Sequence, residues 1–432
     1  MASALSAEVA AFQNSIKAPR PFAAVSDLIA DAPGKTAVYA NPLKDDGKKP
    51  LSFEALKSFC SSFDLSQFGI GRDKVVCTAI PNGPEAAVCF WSISKHCVFA
   101  PLNPGLTVPE VEFELTDLPC HTMILMDNDK SNAAEGIISA CATNNVSVLR
   151  LVPDKQTVGL FTLVPQGPVT AVAPTQVAAS DVALVLHTSG TTKKPKIVPL
   201  THSNLGHGIQ FVEATLQRQP NHICLNIMPL FHIHGIVANV GVSACNGTPV
   251  IASAFMGGDE FLQQLATKGL RPTWYSAVPT MHEAILLEAE KRGKSLDHSL
   301  TLMRNCSAAL LPPVSKRFLK AFGTDLNQPF TVVPTYAMTE SFPICSNPPT
   351  HEIRLSTVGP AMGPTIKILA GHPNVRRTPY HAPVSSPHAA CTVSSPHAAC
   401  TYPFRVLTRL RAALVSRART RRCHRAPRAR CA

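Results

Sequence analysis

Apolar positions between about residue 24 and residue 369 alternate between two spacings, and each spacing predicts a different element. A helical face of apolar side chains is predicted for residues 52–63, 84–94 and 260–268. Short apolar runs typical of buried strands occupy residues 74–79, 122–126, 182–187 and 248–252. Helices and strands that alternate in this way predict an α/β fold built on largely parallel sheets.

Changes in composition divide the chain into three parts. An amino-terminal extension covers residues 1–23, the α/β body covers residues 24–369, and an arginine- and proline-rich tail covers residues 370–432. The tail contains the sequence VSSPHAACT twice in succession, which together with its uniform charge predicts disorder. Within the body, residues 164–180 are rich in Pro, Ala, Thr and Gln and predict a linker between two doubly wound α/β subdomains.

The charge of the chain is concentrated in its tail. The 432 residues are 45% hydrophobic and 16% charged, a globular composition long enough to bury sizeable cores. Of the 40 basic residues, 12 are arginines in the tail, which has no acidic residue, and this leaves 28 basic against 28 acidic residues elsewhere. The formal net charge of +12 therefore gives no reason to expect a nucleic-acid partner for the body.

Cysteine spacing and the length of apolar runs exclude further classes of protein. Ten cysteines lie between Cys60 and Cys345 without a C-x-x-C pair, so neither a zinc site nor a disulfide framework is predicted. Reduced and mostly buried thiols are expected, which fits a cytoplasmic location. No uninterrupted apolar stretch approaches about 18 residues, so no transmembrane segment is predicted.

A turn rich in hydroxyl groups follows the strand predicted at residues 182–187. The residues of this turn are Thr188, Ser189, Gly190, Thr191 and Thr192. Hydroxyls and backbone N–H groups at such a turn can cradle phosphate oxygens, and Gly190 allows close approach of the backbone. Lys196 adds a positive charge for a polyphosphate. An ordinary polar loop is the alternative, but the preceding strand and the Pro195-Lys196 pair favour the phosphate site.

This segment resembles the T-S-G-T-T-G-x-P-K-G motif of the AMP-binding, adenylate-forming enzymes, which include the acyl-CoA synthetases. Lys193 and Ile197 stand where that motif has glycines, and the bulk of Ile197 is expected to affect the loop exit. Further segments resemble the family in the family's order, namely MPLFHIHG, WYSAVPT, SAAL and YAMTE. The resemblance covers residues 24–369 and implies the family's large domain, with the start of a third, β-rich subdomain at residues 356–360.

The resemblance also implies the residues that bind ATP and magnesium. Besides the hydroxyl-rich turn and Lys196, the ATP site would contain Ser307, Ala308, Ala309, Tyr336 and Ala337. Tyr336 would line the adenine, Thr339 would contact a phosphate and Glu340 would ligate Mg²⁺, so Thr339 and Glu340 are the implied catalytic residues. A lone glutamate is otherwise most often a solvated surface acid. A single carboxylate does suit Mg²⁺, because this ion keeps much of its hydration.

The acyl pocket implied by the resemblance contains His232, His234, Gly235 and Val278. Two histidines alone make a poor metal site, so structural or pocket roles are favoured over a metal pair. The segments TWYSAVPTMH, RNCSAALLPP and YAMTES are most similar to those of oxalate–CoA ligases. The expected reaction is ATP-dependent activation of a small carboxylic acid, oxalate or another short acid, to an acyl-adenylate and then to acyl-CoA.

The resemblance ends near residue 369. The family continues there with a ribose-binding aspartate, a hinge and a small domain that supplies a catalytic lysine and completes the CoA site. None of these is recognisable after residue 370, so we expect a truncated chain with crippled thioester formation. Two alternatives stay open: a non-catalytic nucleotide-binding fragment, and nucleic-acid or membrane binding through the basic tail. A peroxisomal location is the alternative to the cytoplasm.

Overall fold

A computed structural model describes residues 19–44, 47–127, 129, 131–188, 195–217, 221–293, 296–323, 330–347 and 355–362. Residues 1–18 of the predicted extension, residues 189–194 of the hydroxyl-rich turn and the whole predicted tail lie outside these described residues. The described residues all belong to one unit, residues 1–364.

Strands and helices alternate along the chain as the apolar pattern predicts. The strands are β1 (Thr36–Tyr39), β2 (Leu51–Ser52), β3 (Val75–Thr78), β4 (Val98–Pro101), β5 (Thr122–Met126), β6 (Ser147–Pro153), β7 (Phe161–Pro165), β8 (Val182–Thr188), β9 (Lys196–Thr201), β10 (Cys224–Asn226), β11 (Val250–Ala252), β12 (Trp274–Ala277), β13 (Leu302–Asn305), β14 (Thr331–Met338) and β15 (Ser341–Ser346). The α-helices are α1 (Phe53–Ser62), α2 (Pro84–Ser94), α3 (Val108–Asp117), α4 (Asn132–Thr143), α5 (His202–Leu216), α6 (Val242–Asn246), α7 (Gly258–Leu265), α8 (Pro279–Arg292) and α9 (Pro312–Phe322).

The remaining regular segments are short helices of other types. Three 3₁₀ turns occupy Val25–Leu28, Pro42–Lys44 and Ser66–Phe68. A π-helical segment, His234–Gly241, runs directly into α6. The predicted segments 84–94 and 122–126 coincide with α2 and β5, and the other predicted segments differ at their ends by three residues or fewer.

The first sheet has seven strands in the order β7-β6-β5-β3-β4-β8-β9. Its inner strands are parallel, and the antiparallel strands β7 and β9 form its two edges. Side chains of one face, such as Cys77, belong to a buried cluster with Val111 of α3 and Ile137 of α4. Side chains of the other face, such as Val76, belong to a cluster that contains Trp91 of α2. Because helices pack against both faces of this sheet, β3 is buried along its whole length.

The linker predicted at residues 164–180 does not separate the two subdomains, so this prediction is wrong. Val164 still lies in β7, and β8 returns to pair with β4 in the middle of the same sheet. Most of the segment is therefore an irregular connection within the first subdomain. Its composition correctly indicates the absence of helix and strand, but composition carries no information about which sheet the next strand joins.

The second sheet has eight strands in the order β15-β14-β13-β12-β10-β11-β1-β2. All neighbouring pairs from β14 to β1 are parallel, while β15 and β2 are antiparallel edge strands. One face packs against α7, α8 and α9 in a cluster that includes Phe261, Ile285 and Phe318. The other face contributes Trp274 and Leu302 to the large cluster shared with the first sheet. Two sheets with helices on both faces confirm the predicted α/β class.

The predicted third subdomain is described only at its beginning. Ala361 forms an isolated antiparallel bridge with Cys345 of β15, and the Met362 N–H donates to the Ile344 carbonyl at 2.9 Å. Residues beyond 362 lie outside the described part of the chain.

Helix starts follow ordinary capping chemistry. The Ser52 hydroxyl accepts a hydrogen bond from the Ala55 N–H at 3.1 Å and begins α1. Thr201 begins α5 in the same way, accepting from the Asn204 N–H at 3.1 Å while the Asn204 side chain accepts from the Thr201 N–H. Helices α2, α8 and α9 carry proline in the first turn, where the missing N–H has no cost.

One asparagine side chain connects a segment that follows a strand of the first sheet with segments that follow strands of the second. Asn82 follows β3 in the first sheet, and its side-chain amide donates to the Met228 carbonyl at 2.8 Å and to the Ser253 carbonyl at 3.3 Å. The Leu230 N–H donates to the Asn82 side-chain oxygen at 2.8 Å. These bonds hold the segments after β10 and β11 against the first sheet and satisfy backbone groups outside regular structure.

Helix α5 joins the β8–β9 hairpin to the β14–β15 hairpin. It begins directly after β9, and Gly208 lies against Phe342 of β15. A Cβ atom at residue 208 would stand 2.2 Å from the Phe342 ring, so only glycine permits this approach. The two hairpins therefore share one rigid neighbour.

The ten described cysteines are all free, and nine of them are buried, as expected for reduced thiols. Among the described helices, none combines the length and apolarity needed to cross a bilayer.

Buried His202 makes the free energy of unfolding depend on pH. Burial lowers the pKa of this fully buried imidazole to about 4, and its Nδ1 accepts a hydrogen bond from the Val25 N–H at 3.0 Å. The unfolded chain takes up this proton near pH 6.5, so the contribution of His202 is fully present above that pH and is lost as the pH falls towards 4. We expect a loss of about 2 kcal/mol between pH 7.5 and pH 5 from this residue.

Urea denaturation at both pH values measures this loss. His202→Asn retains an acceptor for Val25 but no ionisable group, so its unfolding free energy should change less with pH than that of the unmodified chain. Ser203→Ala, on the same helical turn, is the matched control and should keep the full pH dependence. An unchanged dependence in His202→Asn would exclude His202 as its source.

Candidate active site

Four of the predicted site segments begin where parallel strands of the second sheet end. The MPLFHIHG segment follows β10, Val278 follows β12, Ser307 lies beyond β13, and the Tyr336 segment ends β14. These strands are neighbours in the order β14-β13-β12-β10. Because parallel strands end at the same edge, the sheet brings the four segments together in the type of crevice where α/β folds bind ligands.

The loop after β10 is fixed by close backbone contacts. A Cβ atom at Gly235 would stand 2.4 Å from the Pro229 carbonyl oxygen, so residue 235 must be glycine for this loop to close. The Ile236 N–H donates to the His232 carbonyl at 3.2 Å and starts the helical turn. The two histidines of this loop have different surroundings, because His232 is exposed and His234 is buried.

His234 connects the loop to the neighbouring strands through two hydroxyl groups. Its Nε2 lies 2.6 Å from Ser276 Oγ in β12, and its Nδ1 lies 3.3 Å from Ser307 Oγ after β13. Burial lowers the pKa of His234 well below its usual range, and the nearby Arg304 charge lowers it further. The imidazole is therefore neutral near pH 7 and carries one N–H.

Ser307 is held in an unusual backbone conformation at the open side of this cluster. Its φ is 71°, in the left-handed region that costs energy for a residue with a side chain. The Asn305 amide donates to the Ala308 carbonyl at 2.8 Å, and the Cys306 N–H donates to the Ala277 carbonyl at 3.2 Å. These bonds hold the turn, so that Ser307, Ala308 and Ala309 are exposed beside the strand ends.

The β14–β15 hairpin carries the residues implied for adenine and magnesium. Tyr336 and Ala337 are half-buried in the last part of β14, and Thr339 and Glu340 form the two-residue turn before β15. Glu340 is exposed and makes no ion pair with another described residue. Its carboxylate is thus accessible to a cation.

A metal at Glu340 would need further ligands beyond the side chains of the described residues. No group of three His, Cys, Asp or Glu side chains suited to a metal ion occurs among the described residues. A carboxylate with phosphate oxygens and water is a set that Mg²⁺ accepts, so Glu340 fits a nucleotide-bound magnesium rather than a resident one.

The phosphate-binding turn implied by the sequence connects β8 to β9. Thr188 and Lys196 are directly paired there, as the last residue of β8 and the first residue of β9. Lys196 is exposed. The residues between them, Ser189 to Lys194, fall outside the described part of the chain. Ile197 pairs with His187 and packs against the apolar cluster of the first sheet, so its bulk is accommodated by the core.

His187 fastens the end of β8 immediately before the turn. Its Nε2 lies 2.9 Å from Asp117 Oδ2, and its Nδ1 contacts Glu114, both in α3. Burial opposes a charge on this imidazole, but hydrogen bonds and charge attraction from the two carboxylates are stronger and raise its pKa. The position of Thr188 is therefore fixed by the contacts of His187 with two carboxylates of α3.

The structure thus brings together one set of predicted residues and leaves a second set apart. His234, Ser307 and Val278 share the edge of the second sheet with Tyr336 and its hairpin. Among the described residues, no hydrogen bond or ion pair connects Thr188 or Lys196 with that edge. The roles of these residues towards a ligand stay predictions.

Sequence reasoning assigned no role to Arg304 and Ser276, which complete the cluster around His234. The Arg304 guanidinium is 2% exposed, and its Nη1 donates to Ser276 Oγ at 3.2 Å. A signal was present, because an arginine in the middle of the apolar run LTLMRNC indicates a buried charge. Only the three-dimensional neighbours reveal what that charge contacts.

Comparisons with known proteins agree with this geometry. The model of the family described as AMP-binding enzyme matches residues 27–376. A probable CoA ligase of Humulus lupulus is 32% identical over 313 residues, which cover 70% of this chain and 57% of the relative. The oxalate–CoA ligase of Arabidopsis thaliana is 31% identical over 312 residues, which cover 71% of this chain and 59% of the relative. This chain therefore spans less than two thirds of the length of either relative.

A solved structure supports the fold. ATP-bound MatB from Rhodopseudomonas palustris superimposes with a TM-score of 0.65 at 23% identity, and the match covers 79% of this chain and 64% of that chain. The strand order, the site segments at one sheet edge and the family match over residues 27–376 agree, and the chain belongs to the AMP-binding enzyme family.

Proposed function

We propose that this chain activates a small carboxylic acid with ATP, as an acid–CoA ligase of the adenylate-forming type. The observation that carries the proposal is the convergence of the His234, Ser307 and Tyr336 segments at one sheet edge in a chain of this family. The ATP-bound state of MatB and the CoA-ligase names of both relatives support it.

The chemistry proposed for this edge needs positioning and charge neutralisation more than a protein nucleophile. A carboxylate oxygen of the acid attacks the α-phosphorus of ATP, the bond to the β-phosphate oxygen breaks, and pyrophosphate leaves with an acyl-adenylate remaining. The thiol of CoA then attacks the acyl carbon, forming the thioester and releasing AMP. Magnesium would neutralise developing phosphate charge when it is bound with the nucleotide.

Each predicted residue has a role in this proposal. Thr188 and Lys196, with the turn between them, would hold the β- and γ-phosphates. Tyr336 would line the adenine, and Glu340 would ligate the magnesium ion beside Thr339. In the β8–β9 hairpin, the direct pairing of Thr188 with Lys196 supports a shared phosphate-binding role.

The proposed acid is short and polar, with oxalate as the first candidate. His234 and Ser307 place polar groups at the strand ends, and one relative is named oxalate–CoA ligase. Small, highly polar acids need hydrogen-bonding groups at the pocket, because a site lacking them leaves the acid's oxygens unpaired.

Acid-dependent exchange of labelled pyrophosphate into ATP tests the proposed activity. We expect exchange that rises with oxalate concentration, and slow exchange is sufficient because its dependence on the acid is diagnostic. Nucleotide binding without exchange for oxalate or any other short acid would contradict acid activation and favour the non-catalytic alternative.

Lys196 is predicted to contribute charge to nucleotide binding. Replacing Lys196 with Ala removes a cation from the end of the β8–β9 hairpin, and we expect the Kd for α,β-methylene-ATP with Mg²⁺ to rise by about 10-fold. Calorimetric titration measures the change. Lys316→Ala, at an exposed position on α9, is the matched control and should bind as the unmodified chain does. Equal affinities of the Lys196→Ala and control variants would remove Lys196 from the site.

Glu340 is predicted to act through magnesium. Glu340→Gln keeps the size of the side chain but removes its negative charge, so we expect about 10-fold more Mg²⁺ to be needed for half-maximal nucleotide binding. Binding of the nucleotide without Mg²⁺ should not weaken. Glu112→Gln on α3, another exposed glutamate, is the control. A magnesium requirement that is the same in all three proteins would contradict this role.

A further inference from the structure

Arg304 is a buried cation without a counter-charge in the described structure. Its guanidinium is 2% exposed, no described carboxylate lies within ion-pair distance, and its Nε has no hydrogen-bond partner among the described residues. A buried charge of this kind costs free energy that a methionine of similar size would not. The side chain donates to the Ser276 hydroxyl and also contacts the Cys306 side chain. The contact with Ser276 is the one that leads to His234.

The direction of that contact is fixed by chemistry. Arginine has only donors, so Arg304 Nη1 must donate to Ser276 Oγ at 3.2 Å. The Ser276 hydroxyl then has its own proton left to give, and His234 Nε2 lies 2.6 Å away. Nε2 is the acceptor that the described residues offer this buried proton. When Nε2 accepts it, the Ser276 hydroxyl has a donor and an acceptor as partners within the cluster.

The neutral state of His234 determines the direction of its second hydrogen bond, to Ser307. An imidazole that accepts at Nε2 and carries no charge has its single proton on Nδ1. Nδ1 lies 3.3 Å from Ser307 Oγ, so it donates to that oxygen. The Ser307 proton then cannot point at His234, and the exposed left-handed turn leaves it directed to the open side of the strand ends.

We propose that Arg304, Ser276 and His234 form a one-way hydrogen-bond relay that fixes the Ser307 hydroxyl as a donor to a carboxylate oxygen of the substrate. The inference rests on the proposed acid activation for the identity of its acceptor. Arg304, Ser276 and His234 are positioning residues in this relay, and Ser307 is the residue that contacts the acid.

The relay has a consequence for specificity. A fixed donor at Ser307 stabilises an acid that offers an oxygen acceptor beside the reacting carboxylate, as oxalate does. An acid of similar size that offers a methyl group there, such as acetate, forms no hydrogen bond with the Ser307 hydroxyl and loses its contribution to binding. The fixed direction of the hydrogen bonds in the relay thus selects against the apolar acid.

The tautomer of His234 tests the relay without nucleotide or acid. Two-dimensional NMR of the chain with ¹⁵N-labelled histidine distinguishes a protonated Nδ1 from a protonated Nε2, with His234→Gln used for assignment. We expect the Nδ1–H tautomer in the unmodified chain and appearance of the Nε2–H tautomer in Arg304→Met, because the buried Ser276 Oγ then lacks a donor unless Nε2–H supplies one. Tyr275→Phe, which alters the neighbouring hydrogen bond to His282, is the matched control and should leave the His234 tautomer unchanged.

Oxalate affinity in the complex with α,β-methylene-ATP tests the final donor. We expect Ser307→Ala and Arg304→Met each to raise the Kd for oxalate by about 10-fold. In the Ser307→Ala background, Arg304→Met should have no further effect, because both changes act on the same bond.

Three results would overturn the proposal. These are an Nε2–H or doubly protonated His234 in the unmodified chain, a tautomer that Arg304→Met does not change, and additive effects of the two substitutions on oxalate affinity. Because the NMR experiment contains no ligand, a failure of the relay is distinguishable from a failure of the proposed acid activation.

Discussion

Parallel strands of one sheet must all end at the same edge, and this constraint organises the site. The segments after β10, β12, β13 and β14 are separated by long stretches of sequence, yet each contributes to one crevice because its strand is a neighbour of the next. Helices on both faces favour apolar side chains within such strands, so polar side chains available to a ligand are expected where the strands end. The position of the chemistry is therefore a consequence of the hydrophobic pattern.

Close packing converts this shared edge into defined geometry. Gly235 allows the loop after β10 to fold against its own backbone, and Asn82 binds that loop to the first sheet with two hydrogen bonds. Gly208 lets α5 contact the β14–β15 hairpin, while His187 ties the end of β8 to α3. These contacts restrain both hairpins and the loop from outside the crevice, which leaves the side chains inside it available for a ligand.

The sequence predicted the helices and strands well where the signal was local. Apolar spacing located α2 and β5 to the residue, and the motif order located His234, Ser307 and Tyr336. It failed for the connection at residues 164–180, because strand order in a sheet is set by long-range packing that composition does not encode. It also could not assign Arg304 and Ser276, since their contacts depend on distances between two strands and the segments that follow β10 and β13. Ile197 packs against the apolar cluster of the first sheet, and its expected effect on the loop exit stays a prediction.

The central claim is that a nucleotide occupies the edge defined by the ends of β12, β13 and β14. A crystal structure of the chain with α,β-methylene-ATP and Mg²⁺ tests it most directly. We expect the adenine to lie beside Tyr336 and the turn of Ser307 to Ala309. The triphosphate should extend towards Thr188 and Lys196, and the metal should lie at Glu340. Nucleotide bound away from these strand ends, in a chain whose fold is otherwise unchanged, would contradict the account.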